Sequence, residues 1–243
     1  MTQHIPKHIT IIPDGNRRWA KKKGLLPWNG HKKGEEKFRE ITQAVFKSGV
    51  PYVTFWAASE ANLQKRALKE VEALVDIFSN GLDGELKSQR LRNDRIRFRV
   101  IGRWKEILED RGLVKLVQRL DRLIGALQGE TAEFTGRHLT VLFGNNDKRE
   151  TLEAASQMIK NGLPVDEKNL LSVLATGFLP DVDLEIRAGE EMAGWSHNSA
   201  GFLMWLSANA ERYHTKTLWP DFSKDELVRA LEDFSERRRK LGS

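Results

Sequence analysis

Residues 8 to 34 read HITIIPDGNRRWAKKKGLLPWNGHKKG, and the order of residue types in this stretch decides both the architecture and where chemistry can happen. Ile9, Thr10, Ile11 and Ile12 form a mostly β-branched run that stops at Pro13, the pattern of a buried strand. Asp14, Gly15 and Asn16 follow at once. The strand therefore delivers a carboxylate to its carboxyl end, the edge at which open α/β sheets bind ligands. Gly15 lets the backbone approach a ligand closely. Arg17, Arg18 and His31 are placed to meet a polyanion such as a diphosphate. One carboxylate ringed by cations suits a divalent metal that bridges to phosphate oxygens.

Each piece also has an ordinary explanation. Asp-Gly and Gly-Asn are common turn signals. Lys21 to Lys23 reads as a solvated charge run, and a lone histidine such as His31 is more often structural than catalytic. The joint occurrence of strand, acid, glycine, arginine pair and Gly30-His31 within one short stretch is what lifts it above these readings.

The remaining sequence bounds the class. At 243 residues there is room for one large α/β domain with a real core, or for two small ones. Forty basic against 34 acidic residues give a net charge of +6 and a pI near 9.5, which favours anionic partners. The charge is spread along the chain and no nucleic-acid recognition motif accompanies it, so nucleic acid is not an expected partner. There is no cysteine, hence no disulfide framework and no thiolate chemistry. No apolar run approaches the roughly 18 residues of a membrane span. The opening MTQHIPKHIT lacks an apolar signal core. The expected location is the cytoplasm.

Short β-like runs alternate with longer helical patterns. Strands are expected at 8–12, 52–57, 96–101, 139–143 and 182–186. Leu68, Val71, Val75, Phe78, Leu82 and Leu86 recur at helical spacing, as do Phe38, Ile41 and Val45. This alternation predicts an α/β fold: one domain over 1–243, a mostly parallel central sheet and covering helices. The cations Arg90, Arg92, Arg95, Arg97 and Arg99 read as solvated faces before and along the third strand.

Two further blocks carry polar groups at strand ends. Ser59-Glu60-Ala61-Asn62-Leu63-Gln64-Lys65-Arg66 follows the second strand and, in isolation, is a loop that caps the next helix. Asp183-Leu184-Glu185-Ile186-Arg187-Ala188-Gly189-Glu190-Glu191 ends a strand in arginine and glycine. With the opening segment these blocks resemble the cis-prenyltransferases. His8, Ile12, Asp14, Gly15, Asn16, Arg18, Trp19, Ala20, Gly30, His31 and Gly34 fit that family's H-x-x-x-I-x-D-G-N-x-R-W-A and G-H-x-x-G. Ser59 and Asn62 fit its S-x-x-N-x-x-R, with Lys65 where arginine is usual and Arg66 one step on. Phe202-Leu203-Met204-Trp205, Ala210-Glu211, Thr215 and Trp219-Pro220-Asp221-Phe222 match later segments in the same order.

The resemblance implies prenyl transfer from an allylic diphosphate to isopentenyl diphosphate, with Mg²⁺ as cofactor and a cis (Z) product. Asp14 would be metal ligand and catalytic group, with Ser59 and Asn62 beside it. Gly15, Asn16, Arg17, Arg18, Trp19, His31, Lys65 and Arg66 would hold the allylic partner and Arg187 the acceptor. Glu211 would serve the metal or a homodimer interface near Phe202–Glu211. The hydrocarbon would lie in a tunnel between the sheet and the Leu68–Leu86 helix, and the lipid product brings the prospect of peripheral membrane contact. The chain also departs from the family pattern. Pro27 lies where a phosphate-binding arginine is common, and Asn145-Asn146-Asp147-Lys148-Arg149 replaces N-Y-G-G-R. Ten residues, Met192 to Gly201, replace a shorter link containing R-x-S-N. His197, Asn198 and Ser199 are its nearest substitutes for the acceptor site. Alternatives are a member using a different acceptor or an irregular condensation, and a non-catalytic supporting subunit. The intact Asp-Gly-Asn loop counts against the last.

Overall fold

In the computed structural model, which describes residues 4–190 and 201–237, six strands form one parallel sheet. They are β1 (His8–Pro13), β2 (Tyr52–Ser59), β3 (Ile96–Ile101), β4 (Arg137–Asn145), β5 (Leu184–Ala188) and β6 (Glu211–His214). Their spatial order is β3-β4-β2-β1-β5-β6. The first five occupy the expected apolar runs, with ends shifted by a few residues. The sixth was not anticipated. Glu-Arg-Tyr-His has no apolar run because an edge strand is held by backbone pairing to a single neighbour, here Leu184↔Glu211 through Arg187↔His214.

Helices fill the connections: α1 (Asn16–Lys22), α2 (Pro27–Lys47), α3 (Glu60–Lys65), α4 (Leu68–Ser88), α5 (Arg90–Asn93), α6 (Trp104–Asp110), α7 (Val114–Glu130), α8 (Asp147–Lys160), α9 (Glu167–Val173) and α10 (Lys224–Glu236). Pro27 starts α2, where its fixed φ and missing N–H cost nothing. Gln89, in the left-handed region at φ 53°, ends α4.

Alternation along the strands divides the interior. Ile9 and Ile11 join the larger core with residues of α2, α4 and α7, whereas Ile12 joins Leu142, Phe202 and Leu206 on the opposite face. A one-residue slip of β1 would exchange these faces. Each such side chain contributes on the order of 1.5–3 kcal/mol by leaving water. The sheet order also locates the site. From β1 the chain moves to β2 on one side, and from β5 to β6 on the other. The carboxyl ends of β1 and β5 thus flank a topological switch point, the crevice where such sheets bind ligands.

Candidate active site

Asp14 occupies that crevice. The chain leaves Pro13, passes Asp14 and enters α1 through Gly15, whose φ of +102° favours glycine. The Gly15 N–H donates to Asp14 Oδ1 at 2.6 Å. The carboxylate lies between two guanidiniums: Arg18 Nη2 is 3.2 Å from Oδ1 and Arg187 Nη2 is 3.2 Å from Oδ2. Arg187 is buried and comes from β5, paired in register with β1 at Ile12↔Arg187. Arg18 also donates to the Gly189 carbonyl at 2.5 Å. A Cβ on Gly189 would sit 2.5 Å from the Asp14 carbonyl oxygen, so this close approach requires glycine. Two motifs remote in sequence become one site by strand pairing.

A second group faces it across the same pocket, which Asp14, Arg17, Arg18, His31, Asn62 and Arg66 line together. Arg66, Arg17 and His31 converge on Glu70 Oε1, at 3.4, 3.6 and 3.7 Å. Glu70 was not singled out from sequence; its spacing of four from Arg66 at the start of a helix was the available signal. Burial, reinforced by the Arg66 and Arg17 guanidiniums, lowers the His31 pKa to about 4. At neutral pH His31 is therefore a neutral hydrogen-bonding group, not the cation its place in a basic run suggests.

Other expected residues are placed differently. Ser59 and Asn62 form a capping box on α3: Ser59 Oγ accepts from the Asn62 N–H, and Asn62 Oδ1 accepts from the Ser59 N–H. Ser59 is buried in that role, while Asn62 also reaches the pocket wall. Lys65 is exposed, and Arg66, one residue on, is the cation that points in. Trp19 Nε1 donates to Asp221 at 2.8 Å, tying α1 to the turn at Trp219–Asp221. Asn16 packs under α2, where a Cβ on Gly30 would lie 2.0 Å from its carbonyl oxygen. Glu211 starts β6 opposite Leu184, at the amino end of the sheet, and its carboxylate accepts from Arg237 at 2.8 Å. Its own chain does not bring it to Asp14. Arg149 is paired with the buried Glu60 at 3.0 Å. His197, Asn198 and Ser199 lie outside the described residues.

Beneath the polar pocket an apolar cleft runs between the sheet and helices α2 and α4. Pro13, Asn16 and His31 belong to both, so they form its mouth. Phe38, Phe55, Leu74, Phe78 and Phe143 wall it. Its far end is charged. Arg90, expected on a solvated face, instead donates to both Glu85 oxygens through Nε, at 3.2 and 3.0 Å, with Nη2 at 2.8 Å from Oε1. Arg39 approaches the same carboxylate at 3.6 Å.

A polyanion pocket opening into an apolar cleft suits an amphiphile with a phosphorylated head. The comparisons agree. A family model described as "Putative undecaprenyl diphosphate synthase" matches residues 12–242. An isoprenyl transferase of Thermotoga maritima is 36% identical over 243 residues, covering 98% of this chain and 97% of that protein. A tritrans,polycis-undecaprenyl-diphosphate synthase (geranylgeranyl-diphosphate specific) of Methanopyrus kandleri is 32% identical, covering 98% and 85%. Among solved structures, lavandulyl diphosphate synthase from Lavandula x intermedia in complex with dimethylallyl diphosphate superposes with a TM-score of 0.84 at 28% identity, covering 98% and 99% of the two chains. Among the described residues no helix is long and apolar enough to cross a membrane.

Proposed function

The chain belongs to the undecaprenyl diphosphate synthase family of prenyltransferases, and on that premise we propose that it joins an allylic diphosphate to isopentenyl diphosphate with a new cis (Z) double bond. The carbon–oxygen bond of the allylic partner breaks and diphosphate leaves with the electron pair. The acceptor's double bond supplies the electrons of the new carbon–carbon bond, and a proton is lost from the acceptor. The observation that carries this reading is the Asp14 carboxylate between Arg18 and Arg187 at the mouth of an apolar cleft.

Arg17, Arg18 and Arg66 hold the leaving diphosphate by charge-assisted hydrogen bonds, and His31 adds a neutral N–H. Arg187 serves the acceptor side from β5. The cleft takes the hydrocarbon and keeps water from the reacting carbons. Mg²⁺ is the proposed cofactor, and the residues present suit it. Among the described residues no three metal-ligating side chains gather, and an ion that takes most of its ligands from phosphate oxygens needs only one or two carboxylates. Asp14 would hold it. When bound, it would neutralise charge that grows on the departing diphosphate. Glu211 would add to such a site only from a second copy, and we take the working form to be a homodimer, in the cytoplasm.

The test is mass-spectrometric product analysis after incubation with Mg²⁺ and a panel of allylic diphosphates, with and without isopentenyl diphosphate. Products that grow by one five-carbon unit only when isopentenyl diphosphate is present support the reading. Condensation of allylic diphosphate alone, or no product, contradicts it.

A further inference from the structure

The rim of the diphosphate pocket is built like a surface that meets lipid. From Gly15 to Gly34 the sequence holds Arg17, Arg18, Lys21, Lys22, Lys23, Lys32 and Lys33 and not one acid. The turn from α1 into α2 lies in the middle of this stretch and presents large apolar side chains to solvent. Leu25 is 44% exposed, Leu26 55% and Trp28 37%. Across the pocket, the start of α4 adds Leu68, 43% exposed, between the exposed Lys65 and Lys69. The contacts of Arg17 and Arg66 with Glu70 bring these two turns to one opening. The nearby acids are already engaged: Glu36 with Lys33, Asp221 with Trp19, and Glu70 with the pocket arginines.

Leucines and a tryptophan are thus left in water beside a lysine-rich stretch that carries no acid. They match an anionic bilayer, where tryptophan prefers the headgroup level, leucines enter the acyl boundary and lysines face the lipid phosphates. Either attraction alone is weak, and a stable dock uses both. Position supplies the reason. Lys21, Gly24, Leu25 and Pro27 line the pocket whose shared residues Pro13, Asn16 and His31 open the apolar cleft.

We propose that this rim docks the protein on an anionic lipid surface, with the cleft mouth turned to the bilayer so that a prenyl diphosphate passes between the two without crossing water. The proposal rests on the prenyl diphosphate reading of the site only for the cargo; the docking itself is a property of the rim.

The experiment is co-sedimentation of the full chain with phosphatidylcholine vesicles, with or without about one-third phosphatidylglycerol. Wild type is expected to bind anionic vesicles at least about tenfold better than neutral ones, and to release in high salt. Leu26→Ser/Trp28→Ser should lose about tenfold of that binding. Its turnover of a short, water-soluble allylic diphosphate should stay unchanged. Lys22→Glu/Lys32→Glu should abolish the preference for anionic vesicles. Equal wild-type binding to both vesicle types, or none, overturns the proposal. So does a Leu26→Ser/Trp28→Ser protein that keeps its vesicle binding. Because binding is read without turnover, absent prenyl transfer would count against the functional reading alone.

Discussion

In the proposed reaction Asp14 is the residue on which the chemistry would turn. Its oxygens face Arg18 and Arg187 and its backbone is held by the Gly15 and Gly189 turns, so removing the carboxylate changes charge without disturbing the core. Asp14→Ala should leave the circular dichroism spectrum unchanged and lower turnover about a thousandfold, the several kcal/mol of barrier that a lost contact to the leaving group's metal implies. A variant that keeps more than about a tenth of wild-type turnover would remove Asp14 from this role. The histidines make a separate prediction. Burial lowers the pKa of both His8 and His31 from 6.5 to about 4. The unfolded chain therefore binds more protons than the folded one between those values, and stability is lost as pH falls from 6.5 through 4. Asp147, whose carboxyl burial raises to about 7, gains stability over the same window, so the histidines are read by difference. The acid-side loss of thermal midpoint should be smaller in His8→Gln, which keeps a polar group for Thr54 and Pro180. An identical pH dependence of the midpoint in wild type and His8→Gln would contradict burial of His8 in the neutral form.

Among the elements, α4 links the two ends of the cleft. Glu70 lies in its first turn beside the pocket arginines, and Glu85 lies in its last turns beneath the hydrocarbon walls. The fifteen-residue separation spans about 22 Å of helix. The Glu85 carboxylate is buried, and Arg90 is its principal partner. Arg90→Leu would strand that charge against apolar walls, with only the longer Arg39 contact remaining. A loss of about 3 kcal/mol is expected, because breaking a buried pair costs more than replacing it whole. Glu85→Leu/Arg90→Leu should recover most of the loss. Urea midpoints decide, and a single variant as stable as wild type would show that the pair is not stabilising.

At the scale of the molecule, the segment expected at a dimer interface proves to be divided. Phe202, Leu203 and Leu206 are buried in the protein's own second core, as a purely internal role requires. Met204 and Trp205 stay exposed at 40% and 38%. Trp205 Nε1 donates to Thr151 on α8, next to Leu152, which is 69% exposed, and Ile159 lies two turns on at 80%. Apolar groups exposed on one face of α8, with Trp205 beside them, fit the proposed interface between copies. Light scattering should report twice the chain's 27.8 kDa, and Leu152→Glu/Trp205→Glu should yield monomers. Wild type that remains monomeric at tens of micromolar with full activity would exclude the dimer.

What the sequence determined by itself is what depends on neighbours along the chain. The Ile9–Ile12 run, the stop at Pro13 and the apolar spacing of α2 and α4 report burial, and burial periodicity belongs to a single element. The Asp-Gly-Asn turn, the Arg187-Ala188-Gly189 strand end and the pairing of Ser59 with Asn62 are equally local, so five strands and most of the pocket's residues were legible. Only the tertiary structure could decide which groups meet across elements. Arg66 rather than Lys65 enters the pocket because the end of α3 sets its direction. Glu70 gathers basic side chains from α1, from α2 and from the residue that follows α3. Arg90 turns inward to Glu85, and β6 exists because β5 offers an unpaired edge. The reason is physical: hydrogen bonds and ion pairs act over a few ångströms in space, and a parallel sheet brings together residues far apart along the chain, such as Asp14 and Arg187.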